Sequence, residues 1–353
     1  MSEASPAAEA RALAREGRIA EAEQAIARMV AANFGLAVSG ARLGYDWTSL
    51  NSLNGRVDTS DGEFFFKLHQ EEGEEATVGE YYRGELLKSH GYAVDVPARV
   101  CRVPGRQILL YPVRREKTLA ASLLSIERGE VDAPAGDPLA LAQRAFDSDV
   151  ATIYLRTLHA AEPGAVAAEP IHRLFHARLS EPGAPGVLGG RATRFYAGRG
   201  VALGAEAIGW DEFRALRWVV NGVEYRDTLA RLFGAALERL EPRRLACFGA
   251  VVAHGDAHNA NVWVEEGAAG PRLVMFDPAF AGTEVPALLA EVKATMHNIF
   301  AHPFWLYHPD EAAGRFAVRA RRSGDRIEVS HDWRPGALRE AFLASKRDVL
   351  WRP

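Results

Sequence analysis

Cysteine pairs, long apolar runs and an excess of positive charge are all missing from this chain, and each absence removes a class of function. The 353 residues include two cysteines, Cys101 and Cys247. Neither sits in a C-x-x-C pair, which excludes a disulfide framework and a thiolate metal site. Both are expected to be buried free thiols. The formal net charge is -4, so there is no electrostatic footprint for nucleic acid. No apolar run approaches the roughly 20 residues of a membrane-spanning helix, so no membrane partner is expected. Glu3, Glu9, Arg11 and Arg15 leave no apolar h-region near the start, and a cytoplasmic location is the resulting expectation. Nothing in the sequence indicates an oligomeric state.

What remains is ordinary globular material, 48% hydrophobic and 25% charged, at a length where one core usually gives way to two. Residues 6–34 read as one amphipathic helix, with Ile19, Ala22, Ile26, Met29 and Val30 on one stripe. From 36 to 112 the period changes to strands. Asp61-Gly62 separates two strand-like runs as a hairpin signal, 77–90 reads as a helix closed by Gly91, and 96–103 and 107–111 read as two further strands around Pro104-Gly105. Beyond Pro112 the spacing is mainly helical, at 140–160, 171–179, 210–220 and 225–240, with loops expected at 131–137 and 181–190. A short β-rich patch interrupts the helices at 251–254, 261–264 and 273–277. The expected organisation is an N-terminal helix (1–35), a strand-rich lobe (36–112) and a mainly helical lobe (113–353).

Chemistry concentrates in that patch. His254-Gly255-Asp256-Ala257-His258-Asn259-Ala260-Asn261 is a turn-rich loop flanked by strand-like residues, and sixteen residues further on an apolar run ends at Asp277. Phosphoryl transfer needs fixed phosphates, hard oxygen ligands for magnesium and a carboxylate aimed at the acceptor hydroxyl. A lysine in the middle of Phe64-Phe65-Phe66-Lys67-Leu68 is a further signal. The chain has only five lysines, at 67, 88, 117, 293 and 346, and a charge on a half-buried strand is costly without a partner.

The pattern H-G-D-x-x-x-x-N, then an apolar strand ending in Asp, resembles the aminoglycoside phosphotransferase and choline kinase superfamily, a small-molecule branch of the protein-kinase-like fold. The resemblance spans about residues 40–300. It implies an α+β bilobal fold with a small five-stranded N-lobe carrying one helix and a larger, mainly helical C-lobe. It implies transfer of the γ-phosphoryl group of ATP, or GTP, to a hydroxyl of a small molecule (a sugar, amino alcohol, aminoglycoside or glycated amine). By that resemblance Asp256 is the catalytic base and Asn261 and Asp277 hold magnesium. His258 either touches the γ-phosphate or orders the loop. Lys67 holds phosphates and pairs with Glu80, with Glu85 as the alternative. Asn51 and Ser52 belong to a loop over the phosphates, and Tyr111 and Val113 present backbone to the base. No G-x-G-x-x-G precedes Lys67. The string Phe276-Asp277-Pro278-Ala279 resembles the fructosamine kinase group, although Ala287-Leu288 stands where that group often has Asp-Leu.

Two other readings compete. His254, Asp256, His258 and Asp277 could ligate the metal of a hydrolase, which would leave Lys67 and Asn261 unexplained. A non-catalytic kinase-like nucleotide-binding module would normally have lost one of the residues present here. A protein kinase is excluded by the lack of H-R-D, D-F-G and A-P-E. The aromatic run Phe300, Phe304, Trp305 and Tyr307 is expected to pack as core and helix ends, or to wall the acceptor pocket.

Overall fold

In the computed structural model, residues 5–44, 52–69, 74–132, 136–204, 206–301 and 303–351 are described. By density of internal contact they fall into two compact units, one comprising residues up to Leu119 together with Ala260–Ala281, the other Ala120–Asn259 with Gly282 onward. None of the described helices is long and apolar enough to cross a membrane.

The first unit is built on one antiparallel sheet. Its strands are β1 (Val38–Leu43), β2 (Ser52–Thr59), β3 (Gly62–His69), β4 (Arg99–Cys101) and β5 (Ile108–Pro112), in the order β1-β2-β3-β5-β4. Helix α3 (Glu74–Ser89) connects β3 to β4. This is the α+β arrangement of five strands and one helix that the sequence resemblance implied. The hairpin between β2 and β3 closes at Thr59 and Gly62, and its register sets Asn54 opposite Lys67.

The expected single N-terminal helix is two helices, α1 (Pro6–Arg15) and α2 (Ile19–Phe34). The break falls at Gly17, whose φ of 75° lies in the left-handed region that ends a right-handed helix. Both helices pack on the sheet, where Ala10, Leu13, Ile26, Met29 and Val30 meet Val57, Phe66, Leu68 and Leu110. Side chains alternate along a strand, so burying Phe66 and Leu68 on this face turns Lys67 to the opposite one. Residues 99–101 alone form the fourth strand, shorter than the expected 96–103.

The strands Val262–Glu265 and Arg272–Met275 pair antiparallel and join this unit. Backbone bonds from Met275 N to Ala93 O and from Asp95 N to Met275 O hold the second of them, both at 2.8 Å.

The second unit contains α4 (Leu119–Arg128), α5 (Gly136–Thr157) and a series of shorter helices. The strand Ala250–Ala253 is buried throughout and pairs antiparallel with Gly282–Pro286. Sequence periodicity misjudged several segments here. Only Trp210–Ala215 of the expected helix 210–220 is helical, and Arg217–Val220 is a strand running parallel to Arg326–His331. The β-branched pair Val219-Val220 suits a pleated surface. Residues 181–190, expected as loop, include the strand Ala184–Leu188. Cys101 is buried as expected, whereas Cys247 is exposed; it sits on the short helical turn Ala246–Phe248, none of whose residues is buried.

Candidate functional site

Two groups of side chains carry chemistry, one in each unit. In the first, Lys67 Nζ lies 2.7 Å from Asp277 Oδ1, joining the middle of β3 to the residue that ends the run after the strand Arg272–Met275. The lysine side chain is nearly buried, and a charge removed from water needs such a partner. Asp277 has φ 57°, a left-handed conformation that costs most residues about 1–2 kcal/mol and that Asp and Asn tolerate best. Strain of this kind collects at functional positions. Asn261 is tied to the same place through backbone, its carbonyl accepting from Phe276 N at 3.0 Å. An amide oxygen and a carboxylate are hard donors, and magnesium characteristically takes only one or two protein oxygens and completes its shell with water and phosphate. The donor set of Asn261 and Asp277 therefore fits that ion.

Of the other expected nucleotide contacts, Tyr111 is in β5 and Val113 follows it directly. The chain just beyond is pinned by Arg114, which the sequence reading passed over. Its guanidinium bonds Asp95, Glu265 at 2.6 Å and Glu116 at 3.3 Å. Asp95 and Glu265 raise the Arg114 pKa further above its already high value against the opposing effect of burial, hydrogen bonding to Asp95 contributing most. Ser52 begins β2, Glu80 lies within α3, and Glu85 on the same helix is exposed. Asn51 lies outside the described residues.

The second group surrounds the loop after the strand Ala250–Ala253. Gly255, with φ 78°, takes a turn that a side chain would strain, and the loop folds back on itself. Asp256 N donates to His254 Nδ1 at 3.3 Å, and His258 N donates to Asp256 O at 2.9 Å. Asn259 N donates to Asn298 Oδ1 at 2.7 Å. Asn298 belongs to a π-helical turn, Met296–Phe300, a distortion frequent at functional sites. That turn is held by the buried Arg339, which donates to the carbonyls of Asn298 and Ile299, each at 3.1 Å, and pairs with Glu127 at 2.5 Å.

Asp256 itself is buried and ion-paired. Lys293 Nζ stands 2.5 Å from its Oδ1, and His258 Nε2 is 3.7 Å from the same oxygen. One turn beyond Lys293, His297 stacks on His258 with ring centroids 4.9 Å apart. Burial, reinforced by the charge of Lys293, pushes His258 down to about 2. The same two causes, in the same order, push His297 down to about 4. Both rings are therefore neutral at ordinary pH, and His258 cannot act as a cation on phosphate in this arrangement. Burial and then the Asp256 charge raise the Tyr307 phenol.

Lys293 and His297 were not assigned any role from sequence. Their signal was the i, i+4 spacing of Lys293-Ala294-Thr295-Met296-His297, which places both on one helix face. Of the aromatic run, Phe304 is buried as core, whereas Phe300, Trp305 and Tyr307 each keep part of their surface in solvent. His254 Nδ1 accepts from the loop backbone at Asp256 N, which counts against its service as a ligand in the hydrolase reading; among the described residues no three His, Cys, Asp or Glu side chains are grouped as metal ligands.

No protein-family model matches the chain, and no curated relative matches it. Among solved structures it is similar to the macrolide 2'-phosphotransferase MphH from Brachybacterium faecium, at 14% identity and a TM-score of 0.42 over 94% of this chain and 84% of that one. It is also similar to spectinomycin phosphotransferase APH(9)-Ia in complex with ADP and spectinomycin, at 13% identity and 0.41 over 93% and 85%. A macrolide 2'-phosphotransferase type I gives 15% identity and 0.39 over 92% and 89%. At such scores the likeness carries no argument of its own, and the functional reading rests on the site.

Proposed function

We propose that this chain is a phosphotransferase that moves the γ-phosphoryl group of ATP to a hydroxyl of a small molecule. The single observation that carries the reading is the Lys67–Asp277 pair at 2.7 Å. It unites the one lysine of β3 with the carboxylate two residues beyond the strand Arg272–Met275, the pair lying 210 positions apart. A nucleotide-binding module alone needs no further buried carboxylate, yet Asp256 is present and held in a structured loop.

In this reading Lys67, with Glu80 as its helix partner, fixes the phosphates, and Asn51 and Ser52 cover them with backbone and small polar groups. The backbone around Tyr111 and Val113 receives the base, which admits GTP as well as ATP. Asn261 and Asp277 would hold magnesium, which when bound supplies charge neutralisation to the phosphates. Asp256 takes the proton of the acceptor hydroxyl as its oxygen forms the new bond to the γ-phosphorus. The bond between that phosphorus and the bridging oxygen breaks, and ADP leaves. Neutral His258, stacked on His297, serves to order the loop.

Asp256→Asn tests the assignment. Turnover, read as ADP release with acceptor present, should fall by at least about 10²-fold, on the scale of a lost general base. MgATP binding by calorimetry should stay within a factor of about two. Unchanged turnover in this variant would sink the proposal.

A further inference from the structure

The helix Leu289–Thr295 is distorted at both ends and anchored along its back. Its cap, Leu288, has φ 70°, a left-handed conformation that is strained for a bulky side chain. Its last residue leads straight into the π-helical turn Met296–Phe300. Along the back, Glu291 accepts from Lys346 Nζ at 2.6 Å and from the Tyr154 hydroxyl at 2.8 Å. Lys346 also pairs with Asp147 at 2.8 Å, and Glu291, Lys346 and Asp147 are all buried. Because Tyr154 and Asp147 belong to α5, these bonds fix the helix against it. Residues 291 and 293 stand about 200° apart around a helix, so Lys293 is carried on the face turned away from this anchor.

On that face Lys293 Nζ stands 2.5 Å from Asp256 Oδ1, both side chains being largely out of water. A buried carboxylate with no cation beside it is driven towards its protonated form, and a protonated Asp256 is no base. An ammonium at hydrogen-bond distance acts in the opposite sense and favours the carboxylate. The other titratable groups around Asp256 stand differently. His254 accepts from its backbone amide at 3.3 Å, His258 Nε2 is 3.7 Å from Oδ1, and His297 stacks on His258. Those last two rings are neutral. Arg178 and Tyr307, on the short helices His176–Leu179 and Pro303–Tyr307, interact with the Asp256 charge. Lys293 is the cation that the geometry sets directly against the carboxylate.

We propose that Lys293 is a positioning residue for phosphoryl transfer, holding the Asp256 carboxylate in place and in its ionised form. The inference rests on the phosphotransferase reading and adds to it the group that lets Asp256 serve as a base at and below neutral pH. Lys293 transfers no proton itself. The acceptor hydroxyl gives its proton to Asp256 as its oxygen bonds to the γ-phosphorus, and the bond from that phosphorus to the bridging oxygen of ADP breaks. Without the ammonium the carboxyl takes up a proton at higher pH, so activity that needs the carboxylate is lost earlier on acidification.

ADP release from MgATP with water as the acceptor hydroxyl, followed as a function of pH, tests this. Lys293→Met and Lys293→Gln should each lose at least about tenfold more turnover at pH 6 than at pH 8.5, the effect of about one unit on the carboxyl. Lys293→Arg, which keeps the charge, should restore most of the loss at pH 6. A merely structural lysine would lower turnover alike at every pH. A second measurement needs no change at Lys293. In the unaltered chain labelled with ¹³C-aspartate, the Asp256 carboxyl signal, assigned by its absence in Asp256→Asn, should read as ionised at pH 6. A carboxyl protonated at pH 6 overturns the inference. So does a loss in the uncharged variants that is equal at all pH values, or none at all. Either result leaves MgATP binding and the phosphotransferase reading standing. A chain that binds no MgATP overturns that reading and the inference with it, so the two failures are distinguishable.

Discussion

Lys67 and Asp277 meet at 2.7 Å although one lies in the middle of a sheet strand and the other follows a strand of a separate two-stranded ladder. Each depends on the other. Lys67 is on the face opposite Phe66 and Leu68, nearly buried, and Asp277 offers its carboxylate from a left-handed backbone conformation. Lys67→Met keeps most of the side-chain volume while removing the charge. It should weaken MgATP binding at least tenfold in a calorimetric titration, and adenosine, which lacks phosphates, should bind both forms alike.

At Asp277 backbone and charge can be separated. Asn accepts φ 57° better than Ala does. Asp277→Asn and Asp277→Ala should both abolish magnesium-dependent nucleotide binding, but only the alanine variant should carry an added strain of about 1 kcal/mol. Paired thermal melts with and without MgATP read both effects.

The loop bearing Asp256 is held from behind through Asn298 and Arg339. Arg339→Met removes the guanidinium that pairs with the half-buried Glu127 and two bonds to the π-helical turn. Breaking a fully buried pair costs about 3–5 kcal/mol, which sets the upper bound for this one. Asn298→Ala leaves Asn259 N unpaired in a buried place, a loss of about 1–3 kcal/mol. The second variant should lower kcat more than it alters KM for MgATP, which steady-state kinetics with a turned-over acceptor would show.

His258 and His297 predict a one-sided pH dependence of stability. Both are depressed from 6.5 in the folded chain, to about 2 and about 4. Above the unfolded value both states are neutral and the groups contribute nothing. Below about 6.5 the unfolded chain takes up protons that the folded one refuses, so stability falls with pH, by at most about 1.4 kcal/mol per unit for each ring. For His297 the fall should level off below about 4. Denaturant melts between pH 7 and 4.5 should show it, and His258→Gln with His297→Gln should flatten it.

Sequence alone determined the elements whose causes are local. Asp61-Gly62 marked the hairpin, Gly91 the end of α3, and the alternation around Lys67 already required a charged partner on one sheet face. The H-G-D loop and the carboxylate at Asp277 were visible because their spacing is short and their residue types specific. Gly17 broke the N-terminal helix through its own backbone conformation, which an apolar stripe continuing on both sides concealed. The partners were not legible. Lys293 is 37 residues from Asp256, and nothing local distinguishes it from a surface lysine. Only the packing of its helix against the loop makes it an ion pair. The same holds for the strand Arg217–Val220, whose pairing partner lies about 110 residues away and overrode a helical spacing. Local propensity and motif therefore set which side chains are available for chemistry. Which charge faces Asp256 was decided by tertiary contact, because an ion pair depends on distance in space and leaves no periodic trace in the chain.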